Sequence, residues 1–460
     1  MPDQVQVKAD LSALLARKDN AGVRKFAEPW FPADLAPLIA DMPVEELAAL
    51  FRLTSKDLAV ATFTYMNIDA QRKLLHVLTQ AQVGELLNAL PPDDRTAFLN
   101  ELPLDVAMQL LGLLSTDERQ VAQSLLAYPE DSVGRMMTLD FVAVRPEWTV
   151  GEAMNYIREH GYDRETLNMV YVVDGNGRLL DDVRVRRFLI SPLDRPVSSL
   201  LDGNFTMLAP TDDREKALGL FRRFDRVALP VTDESQKLIG IVTVDDILDV
   251  ADAEATEDIQ KLGGSEALDE PYTTIALSRM VKKRASWLIV LFLGEMLTAT
   301  AMSYFEDEIA KAVVLALFVP LVISSGGNAG SQAATLVIRA LALGEFKLRE
   351  WWRVMRRELA AGTLLGLLLG VIGFLRIAIW SQITGIYGPH WPLVAATVGI
   401  SLVGVVLWGS LIGSMLPLGL KRLGFDPATS SAPFVATLVD VTGLIIYFSV
   451  AFVVMRGTLL

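Results

Sequence analysis

A single carboxylate, Asp440, interrupts an otherwise uncharged stretch of 22 residues from Phe434 to Met455. As a helix with a rise of 1.5 Å per residue, the stretch would be about 33 Å long, enough to cross the hydrocarbon core of a bilayer. A carboxylate inside a membrane span is energetically costly and is usually functional. Asp440 therefore requires a partner, a proton or a passing cation.

A second apolar segment carries polar side chains at helical spacing. Asn328, Ser331 and Thr335 lie at positions i, i+3 and i+7, so a helix would place them in one stripe, with Gln332 beside it. The stripe lies at a depth similar to that of Asp440 if the two segments cross the membrane in opposite directions. Small residues around the stripe leave a second interpretation open, in which it is only a face for close helix packing.

The neighbours of Asp440 favour a divalent cation over a proton relay. Ala436 and Gly443 share its helical face, and their small side chains leave room for an ion beside carbonyl, amide and hydroxyl oxygens. Mg²⁺ is a hard cation that keeps several waters and contacts few protein groups directly. Glu295 is the other acid inside an apolar segment, and its role stays open. Asp426 is expected at the inner mouth of the pathway.

Five apolar segments place these residues in a membrane. Lys and Arg cluster before the first segment, between the second and the third, and after the fourth, which puts the N-terminus in the cytoplasm and the C-terminus outside. The second segment is too long for one straight span, so we expect a kink or break near Pro320 or Gly326-Gly327. The spans are predicted at about residues 285–305, 310–338, 359–381, 391–418 and 433–455, within a membrane domain of residues 284–460.

The 460 residues divide into an acidic half and a slightly basic, apolar half. The first 283 residues carry a net charge of −16 and the remainder +3. An acidic surface repels nucleic acid and attracts cations. The chain has no cysteine, which excludes disulfides and thiolate metal sites. The N-terminus has no apolar signal core, so we expect the acidic half to stay in the cytoplasm.

Apolar residues recur every twelve positions in the first part of the chain. Met66, Leu78, Leu90, Leu102 and Leu114 lie on this grid, and several of them stand just before helix-start signals made of Pro, Ser or Thr followed by an acid. Twelve residues accommodate one short helix and its turn. Residues 1–128 are therefore predicted to form a stack of short helices, a small α-solenoid.

A second repeat follows, in which residues 141–154 match residues 205–218. Each copy is predicted to run strand, helix, strand, turn, strand and helix, over residues 129–195 and 196–250. The second copy, with its run Gly240-Ile-Val-Thr-Val-Asp-Asp-Ile-Leu, resembles a CBS domain. That module works in tandem pairs and often binds adenine nucleotides.

The CBS resemblance implies a nucleotide site at the second copy. In the family a Gly-x-x-Thr-x-x-Asp run brings a hydroxyl and a carboxylate to the ribose, and Thr243 and Asp246 fit it. The first copy departs from the pattern, because Asp181, Arg184 and Arg187 occupy the corresponding positions. ATP is the ligand that the resemblance implies, and a purely structural pair is the alternative.

Residues 245–261 have helical composition and are dense in acid. Like charges at i,i+3 and i,i+4 destabilise a helix, so their concentration requires a counter-charge. A solvated helix face is the other interpretation. An acidic connecting helix is predicted over residues 251–283, between the repeats and the spans.

Together these features resemble the MgtE family of magnesium transporters, over nearly the whole chain. The resemblance includes a Pro-x6-Gly-Asn-x3-Gln signature, formed by Pro320, Gly327, Asn328 and Gln332, and the Asp-Val-Thr-Gly run that starts at Asp440. It implies a multidomain membrane protein with an N-terminal α-helical superhelix, α+β tandem CBS domains, an acidic connecting (plug) helix and an all-α transmembrane domain of five helices.

The family resemblance also implies a function and its residues. It implies a homodimer in the inner cell membrane that conducts Mg²⁺ into the cytoplasm and is not an enzyme, with a pore between the second and fifth spans of both subunits. The implied pathway residues are Asp440, Asn328, Ser331, Thr335, Gly327, Gln332, Ala436 and Gly443. Mg²⁺ bound in the cytoplasmic parts would hold the pore closed. The implied metal-binding acids are Asp440, Asp426, Asp93, Asp213, Glu215, Asp225, Asp246, Asp249, Glu254, Glu257 and Asp258.

Other functions fit the residues less well. Five spans are too few for the chloride-channel architecture, and a pore-facing aspartate opposes anions. A membrane metalloprotease needs a His-Glu-x-x-His motif, whereas His76, His160 and His390 stand isolated. A nucleotide sensor with a membrane anchor would not need a polar stripe opposite an intramembrane acid. Transport of other divalent cations, such as Co²⁺ or Ni²⁺, is the alternative that stays open.

Overall fold

The computed structural model of the chain describes residues 4–162, 164–268, 272–273 and 275–458. It divides into two compact units, Met1–Asp252 and Ala253–Leu460. The first unit contains short helices and two α+β repeats, and the second contains long apolar helices. The predicted fold class is therefore confirmed, while the limits of the individual domains stay a prediction.

Short helices at regular spacing form the beginning of the first unit. Leu90, Leu102 and Leu114 of the twelve-residue grid follow the ends of three successive helices and are buried. Side-chain caps mark the beginnings of several of these helices. Thr79 and Gln82, for example, form a capping box at the start of the helix Gln80–Ala89. The helices are α1 (Gln4–Ala16), α2 (Asn20–Ala27), α3 (Pro32–Ile39), α4 (Val44–Leu53), α5 (Lys56–Thr64), α6 (Ile68–Val77), α7 (Gln80–Ala89), α8 (Pro92–Asn100), α9 (Leu104–Leu111) and α10 (Thr116–Leu126).

Two α+β repeats follow, each built on an antiparallel hairpin. Their elements are β1 (Ala143–Val144), α11 (Val150–His160), β2 (Met169–Val173), β3 (Leu179–Arg184), α12 (Val185–Ile190), α13 (Arg214–Phe224), β4 (Ala228–Thr232) and β5 (Leu238–Thr243). Strand β2 pairs parallel with β1 and antiparallel with β3, while β4 pairs antiparallel with β5. Tyr171 of the first repeat shares an apolar core with Ala228 and Ile241 of the second, so the repeats pack as a pair.

Helix α14 (Val244–Leu262) begins directly after β5 and carries most of the acidic run. It starts earlier than the predicted connecting helix of residues 251–283, because two acids in its first turn favour a helix N-terminus there. It ends where Gly263-Gly264 follows, and the φ of Gly264 is +76°, which favours glycine. The last residues assigned to the connecting helix, from Leu277 onward, belong to the next helix instead.

Long apolar helices form the second unit. They are α15 (Leu277–Tyr304), α16 (Glu306–Lys311), α17 (Val313–Ala316), α18 (Val319–Ala342), α19 (Trp351–Thr384), α20 (Trp391–Arg422) and α21 (Ala432–Met455). Among the described residues, five segments are long and apolar enough to cross a membrane: Leu277–Tyr304, Val313–Ala342, Leu348–Thr384, Trp391–Arg422 and Ala432–Met455. Helix α20 packs against α18, α19 and α21.

The break in the second apolar segment lies before Pro320, not at the glycine pair. Pro320 lies in the first turn of α18, where its missing N–H needs no acceptor. Gly326 and Gly327 are inside the continuous helix. A Cβ on Gly326 would lie 2.4 Å from Cγ1 of Val405 on α20, so this glycine lets two helices pack closely.

Candidate ion pathway and acidic clusters

Asp440 lies on α21 where the backbone of α18 comes close to it. A Cβ on Gly327 would lie 3.5 Å from Oδ1 of Asp440 and 3.4 Å from Cβ of Ala436. The absence of a side chain at Gly327 therefore leaves room for about one methyl group beside a half-buried carboxylate. The structure brings these three predicted pathway residues together.

The polar stripe of α18 continues from this contact. The hydroxyl of Ser331 donates to the carbonyl oxygen of Ala432 on α21 at 3.1 Å. That of Thr335 donates to the carbonyl oxygen of Ser331 at 2.9 Å, one turn back on its own helix. Asn328, Gln332 and Thr335 are exposed in the single chain. A membrane-spanning helix that exposes three polar side chains needs water or another protein surface beside them.

Two further small residues of the spans, Gly443 and Gly294, pack against neighbouring helices. Gly443 is buried, and a Cβ there would lie 3.0 Å from Cγ1 of Val405, so it packs against α20. A Cβ on Gly294 of α15 would lie 2.9 Å from Cγ2 of Thr437 on α21. Glu295, the next residue of α15, is exposed.

A lysine joins the end of α14 to the segment before α21. The ammonium group of Lys261 is 2.6 Å from Oδ2 of Asp426 and also pairs with Glu257. Burial would lower the pKa of Lys261, but its hydrogen bonds to these two carboxylates outweigh burial and raise it. Asp426 also caps a short turn by accepting from the N–H of Ala428 at 2.9 Å. Of the predicted metal ligands, Asp426 and Glu257 thus share a cation that belongs to the chain.

Asp258 lies beside this lysine cluster. Burial raises the pKa of its carboxyl group, and the charges of Asp426 and Glu254 raise it further. The nearby ammonium of Lys261 opposes the shift without cancelling it. The pairing of Lys261 with Asp426 is not encoded in the acidic run, because Asp426 lies far along the chain.

A second acidic cluster lies within the first unit, between α8 and the start of α14. Burial raises the pKa of Asp93 well above its usual range, and the charges of Asp246 and Asp94 add to the shift. Burial raises the pKa of Asp246 to about 7 and that of Asp94 to about 6. Asp249 and Glu165 also have raised pKa values, first because of burial and then because of neighbouring Asp245.

A cavity of about 440 Å³ lies at this cluster, lined in part by Asp93, Asp94, Asp246 and Asp249. Among the residues that the structure describes, no three acidic or histidine side chains converge closely enough to form a metal site. The cluster is thus a group of mutually repelling carboxylates whose charge a cation would offset. Sequence reasoning missed Asp94, although it follows Asp93 directly in the first turn of α8.

The remaining predicted metal ligands lie at the two ends of α13. Asp213 caps the helix by accepting from the N–H of Glu215 at 2.7 Å. Asp225 ends it in a left-handed conformation with φ of +50°. The eleven residues of α13 separate these ends by about 16 Å. Asp213 and Asp225 therefore do not belong to one ion site.

The nucleotide pattern of the second repeat is intact. The hydroxyl of Thr243 donates to Oδ2 of Asp246 at 2.7 Å, at the junction of β5 and α14. This places the hydroxyl and the carboxylate together, as the ribose-binding pattern requires. Asp246 also belongs to the acidic cluster, so one residue is shared by both predicted sites.

The first repeat uses the corresponding residues internally. Asp181 is fully buried and accepts from the N–H groups of Asp202 and Gly203 at 2.7 and 3.0 Å. Arg187 pairs with Asp202 at 3.0 Å. These contacts hold the loop that leads to the second repeat.

Comparison with known proteins covers both units. Residues 319–450 match the MgtE family, described as divalent cation transporters, residues 30–131 match the MgtE intracellular N domain, and residues 133–189 and 197–253 match CBS domains. The magnesium transporter MgtE of Thermus thermophilus is 36% identical over 449 residues, which is 97% of this chain and 98% of that protein.

Two solved structures resemble the first unit. The soluble part of a magnesium transporter is 26% identical with a TM-score of 0.52, and the match covers 55% of this chain and 100% of that one. The cytosolic domain of the Mg²⁺ channel MgtE in complex with ATP is 30% identical with a TM-score of 0.50, over 53% of this chain and 99% of that one.

Proposed function

The chain belongs to the MgtE family of magnesium transporters, and from this premise we propose that it conducts Mg²⁺ into the cytoplasm along α18 and α21. It is a multi-pass membrane protein with five apolar helices. The distribution of Lys and Arg supports a cytoplasmic N-terminus and an external C-terminus. We assign the chain to the inner cell membrane. Its relatives are named as transporters, and we assign it no enzymatic activity.

One observation carries the proposal: Gly327 opens the face of α18 in front of Asp440. Mg²⁺ loses water reluctantly and is held by few protein oxygens, so a single half-buried carboxylate suits a largely hydrated ion. Polar side chains of Asn328 and Ser331 lie along the same helix and could accept or donate hydrogen bonds to that water shell.

A second copy of the chain completes the pathway in this proposal. Asn328, Gln332 and Thr335 are exposed on a helix that is otherwise apolar. Exposure to lipid would leave much of the hydrogen-bonding capacity of the Asn328 and Gln332 amides unused, which is unfavourable in hydrocarbon. A homodimer with α18 and α21 of both copies around a shared axis places these groups at a wet pore, where two Asp440 side chains face one ion.

Intracellular Mg²⁺ closes the pore by neutralising the acidic clusters. Asp93, Asp94 and Asp246 have raised pKa values because burial and mutual repulsion disfavour their charged forms. A bound divalent cation would remove that repulsion and stabilise the compact arrangement. Asp258 and Asp426 would respond in the same way at the other end of α14. Loss of Mg²⁺ restores the repulsion and favours opening.

ATP binding at the second α+β repeat is part of the proposal. It is supported by the Thr243–Asp246 hydrogen bond and by the ATP complex of the similar cytosolic domain. Because Asp246 is also in the acidic cluster, ATP and Mg²⁺ would affect each other's affinity. The first repeat is not proposed to bind ATP, since Asp181 and Arg187 are engaged internally.

The test of the conduction proposal is Mg²⁺ uptake by cells that lack other Mg²⁺ transporters. Asp440→Asn and Asp440→Ala should reduce uptake to the level of cells without the protein, because the ion loses the carboxylate that faces it. Ser449→Ala, a change at an exposed residue later on α21, is the matched control and should retain uptake. Full uptake by both Asp440 variants at equal expression would overturn the pore assignment. Competition by Co²⁺ or Ni²⁺ in the same assay tests the alternative cargo.

A further inference from the structure

A cavity of about 430 Å³ lies between the C-terminal end of α18 and the N-terminal end of α19. Its lining includes Arg339 from α18, Glu345 and Phe346 from the connecting segment, and Arg353 and Arg357 from α19. The cavity is separate from the space in front of Asp440. It is not needed for the proposed conduction of Mg²⁺, because its arginines repel cations.

Helix length and composition indicate that the cavity lies near the level of lipid headgroups. Helix α19 has 34 residues and is about 51 Å long, which exceeds the roughly 30 Å of a hydrocarbon core, so its first turns project into the interfacial region. Trp351 and Trp352 are exposed in the first turn of α19. Tryptophans at helix ends typically mark the boundary between hydrocarbon and headgroups.

The polar side of the cavity carries three arginines against two glutamates, Glu345 and Glu358, so its net charge is positive. Among the described residues, no carboxylate lies within the 4.0 Å of an ion pair from the guanidinium of Arg339 or Arg357, while Arg353 lies 3.8 Å from Oε1 of Glu350. Guanidinium groups bind phosphate oxygens through paired hydrogen bonds and are the preferred residues for phosphodiesters. Arg339 and Arg357, on neighbouring helices, thus form no close ion pair with the two carboxylates of the lining and keep their donors available for an anion.

The other side of the cavity is apolar. Val337, buried, and Phe346 and Val354, half-buried, belong to one hydrophobic cluster that also contains Leu341. Leu336 is exposed beside them at 67%. A ligand that fills this space would need an anionic group at one end and hydrocarbon at the other.

We propose that this cavity binds the phosphate headgroup of an anionic membrane lipid. Basic pockets between membrane helices at the cytoplasmic surface have the chemistry that such headgroups require. Arg339 and Arg357 would hold the phosphate, and Val337 and Phe346 would contact the first part of an acyl chain. A free phosphate ion shares the anionic chemistry, but it would leave the apolar side in contact with water.

The test is native mass spectrometry of the full-length protein in detergent, with equal amounts of dioleoyl phosphatidylglycerol and dioleoyl phosphatidylcholine. The wild-type chain should retain phosphatidylglycerol in preference to phosphatidylcholine. Arg339→Gln with Arg357→Gln should weaken that retention by about tenfold or more, as expected for two charges near an anionic headgroup. Lys421→Gln with Arg422→Gln removes the same charge at the end of α20 and should retain the preference.

Three results would overturn the proposal. The first is equal retention of both lipids by the wild-type chain, and the second is an equal loss in both double variants, which indicates a general effect of charge. The third is displacement of phosphatidylglycerol by millimolar potassium phosphate, which indicates a site for the free anion.

If the double variant misfolds, Arg357→Lys serves instead: it keeps the charge but loses the forked geometry, and it should retain less phosphatidylglycerol than the wild type. Mg²⁺ uptake by the same variants separates this proposal from the proposed conduction.

Discussion

Two adjacent glycines of α18, Gly326 and Gly327, contact different neighbouring helices. Gly326 faces Val405 of α20, where a Cβ would lie only 2.4 Å from the neighbouring side chain. Gly327 faces α21, where a Cβ would make ordinary contacts of 3.4–3.5 Å with Ala436 and Asp440. The first glycine is required for packing, whereas the second keeps space open in front of the carboxylate.

Alanine substitutions at the two glycines should therefore separate packing from transport. Gly327→Ala should leave the unfolding temperature within a few degrees of wild type but reduce Mg²⁺ uptake, because a methyl group partly fills the space beside Asp440. Gly326→Ala should lower the unfolding temperature, since a clash with Val405 typically costs about 1–3 kcal/mol. Unfolding of the purified protein and uptake in cells measure the two effects. Unchanged uptake by a well-expressed Gly327→Ala protein would contradict the role of the open space.

Lys261 supplies a permanent cation between Glu257 and Asp426. In Lys261→Gln these two carboxylates would repel each other when Mg²⁺ is scarce, so closure should need more intracellular Mg²⁺. We expect the half-inhibiting Mg²⁺ concentration to rise by about threefold, corresponding to ~0.6 kcal/mol for a partly exposed ion pair. Electrical recording from excised membrane patches at stepped Mg²⁺ concentrations measures this half-inhibiting concentration. Arg422→Gln is the control, and an unshifted Lys261→Gln would refute a gating role for this lysine.

At the scale of elements, helix α14 begins within one acidic cluster and ends in another. Its first turn packs Asp246 near Asp93 of α8, and its last turns carry Asp258 and Lys261. A helix transmits a change at one end to the other because its hydrogen-bonded backbone is stiff. Charge at either end can therefore affect the same element.

The acidic cluster around Asp246 should make stability depend on pH. Its pKa is raised from 3.8 to about 7 by burial, so between these values the folded chain binds more protons than the unfolded chain. The free energy of unfolding therefore falls as pH rises through this window. In buffer with EDTA, the apparent unfolding temperature of the full-length protein should be higher at pH 6 than at pH 8.

Asp246→Asn should reduce this pH dependence, while Asp105→Asn, a change at an exposed acid of α9, should not. Mg²⁺ competes with protons for the same carboxylates, so added Mg²⁺ should raise the unfolding temperature more at pH 8 than at pH 6. Equal stabilisation by Mg²⁺ at both pH values would argue against binding at this cluster.

At the scale of the whole molecule, the polar stripe of α18 is exposed in the single chain. Asn328 and Gln332 are exposed in a membrane-spanning helix, although the opposite side of α18 is packed against α20. The proposed homodimer would cover the stripe and bring two copies of Asp440 together. Because the chain has no cysteine, a single introduced thiol is a specific probe of this arrangement.

Gln332→Cys in native membranes should give a covalent dimer with a short bismaleimide, because the two stripes face each other in the proposed dimer. Leu364→Cys, at a 69% exposed position of α19, should stay monomeric after the same treatment. Gel electrophoresis under denaturing conditions distinguishes the products. Similar yields from both variants would indicate random collision and contradict the proposed interface.

Much of the fold was predictable because local patterns determine it. The twelve-residue spacing with its capping residues predicted the short helices. The internal repeat predicted the paired α+β units, and the long uncharged stretches predicted the membrane helices. These sequence patterns predict the elements correctly because each depends only on periodicity and burial within one element. Element boundaries were less certain: α14 starts at Val244, since its helix start depends on where β5 ends.

The sequence by itself determined that Asp440 lies in an apolar span and that Asn328, Ser331 and Thr335 share one helical face. Only the tertiary structure decided that Gly327 opens toward Asp440 while Gly443 packs against α20, because helix packing sets which side of each helix is filled. It also decided that Lys261 meets Asp426, which lies 165 residues away. Contacts between distant residues depend on how the helices pack, and no local pattern encodes them.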